Sequence, residues 1–214
     1  GIKSEFRGGM RVTDAATVKI VEETLNNEIN GQICESLKAR GANPLGMPGN
    51  HVNLCEKLFG SDDKGQPVDI GFVGEAEGVN IEAIKACVAS EIVPVISPIG
   101  ATVDGVVLNV NADVAAAALA TQIGAAKLIF VTDVAGIMRD PAIKESLIPS
   151  VTIAQVESLI QQKVIAGGMI PKVRSATDAL KKGVQKIHMV GGHIQHCLLL
   201  EIFTNAGIGT EIVP

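Results

Sequence analysis

Leu108-Asn109-Val110-Asn111-Ala112-Asp113 is the stretch that decides the fold, and an apolar, alanine-rich run at 114–119 follows it directly. Asn109 and Asn111 are two residues apart, so on a strand their side chains point to the same face. Asp113 is expected to open a helix, because a short acidic side chain caps the first free N–H groups. Two amides and a carboxylate therefore meet at a strand-to-helix junction, which is typical either of a solvated turn or of a ligand site.

Strands and helices alternate on both sides of this junction. Apolar residues spaced by three or four predict a long helix over 14–41, or two helices broken near Asn26, and a helix over 153–160. The segments 92–100 and 127–131 are largely apolar runs, as in strands that are buried on both faces, and 187–190 is a further predicted strand. We therefore predict an α/β fold with a mainly parallel sheet covered on both sides.

A second candidate site follows the strand at 127–131. Thr132-Asp133-Val134-Ala135-Gly136-Ile137-Met138 comes directly after it, and ligands of parallel sheets bind at the carboxyl ends of the strands. The segment is either a simple β-turn or a nucleotide site in which Asp133 meets the ribose or a polar base edge.

A third candidate site is Gly167-Gly168-Met169-Ile170-Pro171-Lys172, before a helix predicted over 173–182. Pro171 suits a first helical turn because its missing N–H would have no partner there. Lys172 in that turn opposes the helix dipole by about 0.3–1 kcal/mol unless an anion binds beside it. The two glycines and the free N–H groups favour a phosphate, and a solvated lysine is the alternative.

Composition excludes several classes of function. The net charge is −5 and only 2% of the residues are aromatic, with no Trp or Tyr, which argues against nucleic acid or an anionic membrane surface as a partner. The four cysteines form no C-x-x-C pair and indicate buried thiols in a reducing cytoplasm. No G-x-G-x-x-G follows a strand, which disfavours a Rossmann dehydrogenase.

Six motifs in a fixed order make the chain resemble the amino acid kinase family, and within it the enzymes that phosphorylate N-acetyl-L-glutamate. They are RGGMRVTD (7–14), GFVGE (71–75), PVISPIG (94–100), NVNAD (109–113), TDVAGI (132–137) and GGMIPKV (167–173). The resemblance implies a three-layer αβα sandwich. It also implies transfer of the ATP γ-phosphoryl group to the side-chain carboxylate of acetylglutamate, on the route to arginine.

The resemblance also implies roles for individual residues. Lys172 would stabilise the transition state and Asp113 would orient the catalytic lysines, while Arg11 and Asn109 would hold acetylglutamate. From its local sequence, Arg11 is either a surface residue or a fork for a carboxylate. The nucleotide would contact Asp133, Val134, Ala135, Gly136, Ile137, Met138, Val164, Ile165 and Ala166. Magnesium would bridge the ATP phosphates, with no metal site built from protein side chains alone. Residues 1–115 would mainly bind acetylglutamate, and residues 116–214 mainly ATP.

The last segment resembles the arginine-binding end of arginine-inhibited, hexameric members. His196, Glu201, Gly207 and Gly209 would contact the effector, and the alternative is a C-terminal helix that carries an exposed glutamate and ends at a glycine. The resemblance favours a homo-oligomer, either a dimer or a hexamer, that binds neither nucleic acid nor membrane.

Two departures from the family pattern limit the expectation of activity. The family's first lysine-bearing strand and glycine-rich loops have no counterpart before Gly1, so we expect an N-terminally truncated chain that is inactive without its longer parent. The segment 46–51 differs from the family's Gly-Lys-Asp. The alternative functions are a kinase for a carrier-protein-linked aminoadipate or glutamate, and a non-catalytic arginine-binding module.

Overall fold

The computed structural model describes residues 6–7, 10–62, 64–140, 142–204 and 207–214, and only the backbone for residues 6, 7, 10, 11 and 144. The strands are β1 (Phe6–Arg7), β2 (Met10–Arg11), β3 (Pro44–Met47), β4 (Asn53–Ser61), β5 (Pro67–Val79), β6 (Val93–Ile96), β7 (Ile99–Ala101), β8 (Val107–Val110), β9 (Lys127–Thr132), β10 (Ser150–Thr152), β11 (Lys186–Gly191) and β12 (Thr210–Val213). The helices are α1 (Ala15–Glu23), α2 (Asn30–Lys38), α3 (Ile81–Ala89), α4 (Ala112–Gln122), α5 (Ile153–Gln161), α6 (Met169–Lys181) and α7 (Cys197–Phe203). The chain divides into two compact units, Gly1–Leu119 and Ala120–Pro214.

The first unit contains two short ladders and a ring of four strands. β1 pairs antiparallel with β2, and β3 pairs parallel with β6. β4, β5, β8 and β7 are hydrogen-bonded in a closed ring. Cys55, Leu108, Val110 and Ala115 form a buried core with Phe72 and Ala76 packed against it. The strand that carries Asn109 is therefore fixed by buried neighbours on both sides of that residue.

The second unit is a four-stranded sheet in the order β10-β12-β11-β9. β11 is parallel to β9 and β12 is parallel to β10, while β11 and β12 are antiparallel. All residues of β11 after Lys186 are buried, as expected for a strand covered on both faces. The predicted α/β fold, with helices and parallel sheets, is confirmed. Within the described ranges, no helix combines the length and the apolar character needed to cross a membrane.

The long N-terminal helix is also confirmed, and its predicted break near Asn26 is a π-helical stretch, Thr24–Ile29, between α1 and α2. The wider turn lets the Asn26 side chain donate to Asn50 Oδ1 at 3.0 Å and accept from the Ser97 hydroxyl. Ser97 also accepts from the Gly49 N–H at 2.8 Å. The π-turn therefore serves a polar network that joins the helix to the segments before β4 and before β7.

Four local predictions were wrong. Asn111, and not Asp113, caps α4, because its Oδ1 accepts from the Asp113 N–H at 2.9 Å and the Val114 N–H at 3.2 Å. β8 ends at Val110, so Asn111 does not share a strand face with Asn109.

The segment 92–100 forms two strands, β6 and β7, because the Ser97 side chain is held by the polar network between them. α6 begins at Met169 and not at 173, since Gly168 already has helical backbone angles.

Two backbone segments come close together at Gly71. A Cβ at this position would lie 2.1 Å from the Thr13 carbonyl oxygen, and Gly71 has a left-handed φ of +80°. Gly65 has a similar φ of +75° with nothing near its Cβ position. Gly71→Ala should therefore lower the free energy of unfolding by about 2–5 kcal/mol, from left-handed strain plus overpacking.

Urea unfolding measures this effect, and Gly65→Ala is the matched control. The control carries the left-handed strain alone, so it should lose only about 1–2 kcal/mol. Equal losses in the two variants would contradict the account of the close approach at Thr13.

Candidate active site

Asn109 lies in the middle of β8, between Leu108 and Val110, which are 1% and 4% exposed. Its Nδ2 donates to the Thr13 hydroxyl over 3.5 Å, at the long end of the hydrogen-bond range. Strand pairing places Asn109 opposite Ile99 on one side and Val73 on the other. The amide is therefore presented by a strand whose position is fixed by the core.

Thr13 anchors the segment that leads from the arginine-containing loop into α1. It is fully buried, its N–H donates to the Ile70 carbonyl at 3.0 Å, and its carbonyl accepts from the Phe72 N–H at 2.7 Å. Arg11 lies two residues earlier in β2, and its side chain is outside the described part of the chain. The backbone thus brings the Arg11 segment to the strand next to β8, and sequence reasoning did not identify Thr13 as the link.

Asp14 caps α1, with Oδ1 accepting from the Thr17 N–H at 2.7 Å. Hydrogen bonds from the Thr17 backbone lower the pKa of this carboxyl below its ordinary value. Asp113 lies in the first turn of α4, where the free N–H groups of a helix favour a negative charge. Both helices of the first unit that border β8 therefore begin with a carboxylate.

Seven of the nine residues predicted to contact the nucleotide line one cavity of about 270 Å³ in the second unit. These residues are Val134, Gly136, Ile137, Met138, Val164, Ile165 and Ala166. Asp133 and Ala135 are not among the lining residues, and Asp133 is exposed directly after β9. The structure thus brings together the two predicted segments, one after β9 and one after α5.

Thr210 holds the first of these segments in place. Its hydroxyl accepts from the Ile137 N–H at 2.9 Å and donates to the Ile148 carbonyl at 2.7 Å, and the residue is fully buried. Gly136 passes so close that a Cβ there would lie 2.6 Å from this hydroxyl. The cavity wall is therefore tied to β12 by a residue far away in sequence.

Three further residues line the same cavity and were not predicted: Arg139, Lys163 and Met169. Met169 precedes Lys172 by three residues on α6, so helical spacing could have found it. Lys163 has a left-handed φ of +60° after α5, and neither its sequence context nor that of Arg139 indicates a site.

Lys172 is the fourth residue of α6, and its side chain is half-buried. Its Nζ lies 5.5 Å from the centroid of the Phe130 ring in β9. Gly167 and Gly168 precede the helix, and a Cβ at either position would meet nothing within 4 Å. The predicted phosphate position therefore has open space beside a cation and a helix N-terminus, the combination that suits an anion.

The predicted effector residues lie only partly together. Glu201, Gly207 and Gly209 line a second cavity of about 410 Å³, with Lys127, Lys186, His188 and Glu211 among its other residues. His196 is not a lining residue and instead precedes α7 with a left-handed φ of +59°. His188 was missed, although a histidine inside an apolar strand was a visible signal.

Glu201 is buried and satisfied within the protein. Its Oε1 lies 2.7 Å from His188 Nδ1, and its Oε2 accepts from the Ile208 N–H at 2.7 Å and the Gly209 N–H at 3.0 Å. Burial raises the pKa of Glu201, but the hydrogen bonds from Ile208, His188 and Gly209 together outweigh it and bring the pKa below its ordinary value. The alternative of an exposed glutamate is therefore wrong, because Glu201 is a buried carboxylate that organises the segment before β12.

Across residues 6–7, 10–62, 64–140, 142–204 and 207–214, no group of three or more His, Cys, Asp or Glu side chains could hold a metal ion. A magnesium ion that accompanies ATP is usually bound by the phosphates and one or two carboxylates, so the described residues do not by themselves form a metal site.

The lowered pKa of Glu201 predicts a specific dependence of stability on pH. A carboxyl whose pKa is lower in the folded state stabilises the fold above its unfolded pKa, near 4.5, and loses that contribution as the pH falls through the folded value. Glu201→Gln should therefore be less stable than wild type at about pH 6, and the difference should shrink at about pH 3.5.

Urea unfolding at the two pH values measures this difference. Glu56→Gln, at an exposed position in β4, is the control. Its stability difference from wild type should not shrink between the two pH values. A constant gap between wild type and Glu201→Gln at both pH values would show that the charge of Glu201 is not what stabilises this segment.

Sequence comparisons place the chain among known kinases. The profile described as the amino acid kinase family matches residues 1–191. Acetylglutamate kinase of Akkermansia muciniphila is 43% identical over 214 residues, which cover 100% of this chain and 72% of that protein. Acetylglutamate kinase of Methanococcus maripaludis is 44% identical over 218 residues, covering 100% of this chain and 74% of the relative.

Solved structures share the fold. The crystal structure of smu.665 from Streptococcus mutans matches with a TM-score of 0.79 at 26% identity. The match covers 99% of this chain and 78% of the smu.665 chain. The N-acetylglutamate synthase of Neisseria gonorrhoeae, in complex with coenzyme A and N-acetylglutamate, matches with a TM-score of 0.80 at 24% identity. The match covers 99% of this chain and 47% of the synthase chain. With the sequence match along most of its length, the chain belongs to the amino acid kinase family.

Proposed function

We propose that this protein transfers the γ-phosphoryl group of ATP to the side-chain carboxylate of N-acetyl-L-glutamate, a step of arginine biosynthesis. The observation that carries the proposal is Lys172, a cation at the start of α6, one helical turn after Met169, which lines the same cavity as both predicted nucleotide segments. It occurs in a chain that is 41–44% identical to curated acetylglutamate kinases over nearly its whole length.

The reaction suits a site with few catalytic groups. A glutamate side chain has an ordinary pKa near 4.3, so the nucleophile is already ionised at neutral pH and no general base is required. The obstacle is the approach of two anions in line. Positioning and charge neutralisation therefore supply most of the rate enhancement, and Lys172 provides a fixed positive charge for the transferring phosphoryl group.

The acceptor side of the site rests on the first unit. Asn109 would donate to or accept from acetylglutamate, and the guanidinium of Arg11 would pair with a carboxylate in a forked arrangement. Asp113 would orient the catalytic lysines. In this proposal residues 1–115 mainly bind acetylglutamate, and residues 116–214 mainly bind ATP.

ATP is the co-substrate that a kinase requires, and the cavity near Met138 and Met169 would take its base. Magnesium would accompany the nucleotide and neutralise phosphate charge when bound. The described side chains form no cage for it, so we assign no reaction step to a protein-bound metal.

Replacing Lys172 tests the central role. Lys172→Ala should lower acetylglutamate-dependent kcat by about 10²–10³-fold, because a donor aimed at transition-state charge is removed. The measurement is ADP release in a coupled assay on the complete gene product, with and without acetylglutamate.

Lys181→Ala is the matched control for this variant. It removes the same charge from the last turn of the same helix, where Lys181 pairs with Asp178 over 3.6 Å, and it should retain wild-type turnover. Equal rates in Lys172→Ala and wild type would show that Lys172 is a solvated lysine without a catalytic role. Absence of acetylglutamate-dependent turnover in wild type would favour the carrier-linked kinase or the arginine-binding module.

We further propose feedback inhibition by arginine at the cavity beside Glu201. The cavity contains two carboxylates, Glu201 and Glu211, and two ammonium groups, Lys127 and Lys186. An amino acid with a cationic side chain carries complementary charges, a carboxylate for the lysines and cationic groups for the acids. Gly207 and Gly209 allow a ligand to approach the backbone closely.

Calorimetric titration tests this proposal. Arginine should bind to wild type and lower acetylglutamate-dependent turnover, whereas citrulline, which lacks the charged guanidinium, should do neither. Lys172→Ala should still bind arginine, because its substitution lies outside this cavity. Unchanged turnover at millimolar arginine, with no heat of binding, would contradict the effector proposal.

We also propose a homo-oligomer, a dimer or a hexamer, in the cytoplasm. Support comes from the outward face of the long helix, where Ile20, Ile29 and Ile33 are 55%, 40% and 44% exposed. Such apolar exposure is more typical of contact surfaces than of a free helix face. Light scattering gives the mass directly.

A further inference from the structure

Phe130 is a buried aromatic residue directly beneath the cation assigned to phosphoryl transfer. It lies in β9, is 4% exposed, and pairs in register with the fully buried Met189 of β11. The Lys172 Nζ lies 5.5 Å from the centroid of its ring. Both residues belong to the second compact unit, so their contact is internal to one body.

Phe130 is the buried position of β9 and the one aromatic residue in that strand. Leu128, Ile129 and Val131 are aliphatic, and an aliphatic residue of similar size would fill a core position under α6 nearly as well. Only an aromatic ring presents a negative face that attracts an ammonium group, and the attraction is stronger where water is excluded.

The place of Lys172 in the helix is unfavourable for a cation, so an aromatic ring beside its ammonium group is stabilising there. The first turn of α6 carries the positive end of the helix dipole, which repels a cation in the absence of a bound anion. Phe130 offsets that repulsion on the side of the sheet. The side chain is thereby kept near the nucleotide cavity, which Met169 lines one helical turn earlier.

We propose that Phe130 is a positioning residue for Lys172: its ring face holds the ammonium group at the start of α6, ready for the phosphoryl group. Phe130 touches neither substrate in this account and acts only through Lys172. The inference rests on the proposed function for its kinetic consequence, but the contact between ring and cation can be tested without any turnover.

The chain contains a matched control for this contact. Lys57 Nζ lies 5.4 Å from the ring of Phe59, nearly the same distance as in the Lys172 pair. Phe59 is 53% exposed and lies in β4 of the other unit. A substitution at Phe59 therefore removes an equivalent cation–ring pair that has no part in the proposed reaction.

The first experiment detects the contact by NMR of lysine side chains carrying ¹³C-labelled dimethyl groups, with the Lys172 signal assigned by Lys172→Arg. A cation above a ring is shifted upfield by the ring current, so the Lys172 signal should be shifted in wild type and should lose that shift in Phe130→Leu. Phe59→Leu should change the Lys57 signal and leave that of Lys172 in place. A Lys172 signal that is identical in wild type and Phe130→Leu would overturn the proposal.

The second experiment replaces Phe130 site-specifically with mono-, di- and trifluorinated phenylalanine in the complete gene product. Fluorine weakens the negative face and barely changes the shape of the ring. Acetylglutamate-dependent kcat should fall stepwise, by about 3- to 10-fold at the trifluorinated residue, with KM for both substrates and the melting temperature nearly unchanged. The same series at position 59 should leave kcat constant.

The two experiments separate the possible failures. A kcat that is independent of fluorination, or that falls only as the melting temperature falls, would mean that Phe130 is a core residue with no positioning role. If wild type shows no acetylglutamate-dependent turnover, the proposed function fails, while the NMR result still decides whether the ring holds Lys172.

Discussion

The close approach of two backbones at Thr13 and Gly71 is the constraint that fixes the segments of the first unit proposed to bind the acceptor. Thr13 is fully buried, and it bonds through its N–H and its carbonyl to the residues on either side of Gly71. Only a glycine leaves room for that carbonyl. The same threonine accepts from Asn109, so one residue connects the Arg11 segment, the start of α1 and β8.

The second unit has a similar arrangement of a buried threonine and a glycine. Thr210 is fully buried, and its hydroxyl joins the loop after β9 to the loop before β10. In each unit a buried threonine, with a glycine packed against it, fixes a segment that carries predicted ligand-binding residues of that unit. Buried hydroxyls of this kind are costly to leave unpaired, so the loops they hold are well defined without ligand, as suits a reaction that relies on positioning.

Local sequence was sufficient for features that depend on local chemistry. An apolar strand followed by a polar loop predicted the segment at 132–138, four residues of which line a cavity, and two glycines before a lysine predicted Lys172 at a helix start. Local sequence was not sufficient where a distant side chain decides. Asn26 and Ser97 meet across 71 positions, and Ile137 and Thr210 across 73. Glu201 was predicted to contact an effector, with an exposed glutamate as the alternative, and neither interpretation identified its bonds to His188 and to the Ile208 and Gly209 N–H groups, because these partners come together only in the folded sheet.

The central claim is that the acceptor is the side-chain carboxylate of acetylglutamate, and trapping the product tests it most directly. An acyl phosphate reacts with hydroxylamine to give a hydroxamate, which mass spectrometry identifies. The account predicts acetylglutamate hydroxamate from the complete gene product only when ATP and acetylglutamate are both present. ATP hydrolysis to free phosphate without any hydroxamate, or a hydroxamate formed only on a carrier-linked acceptor, would contradict it.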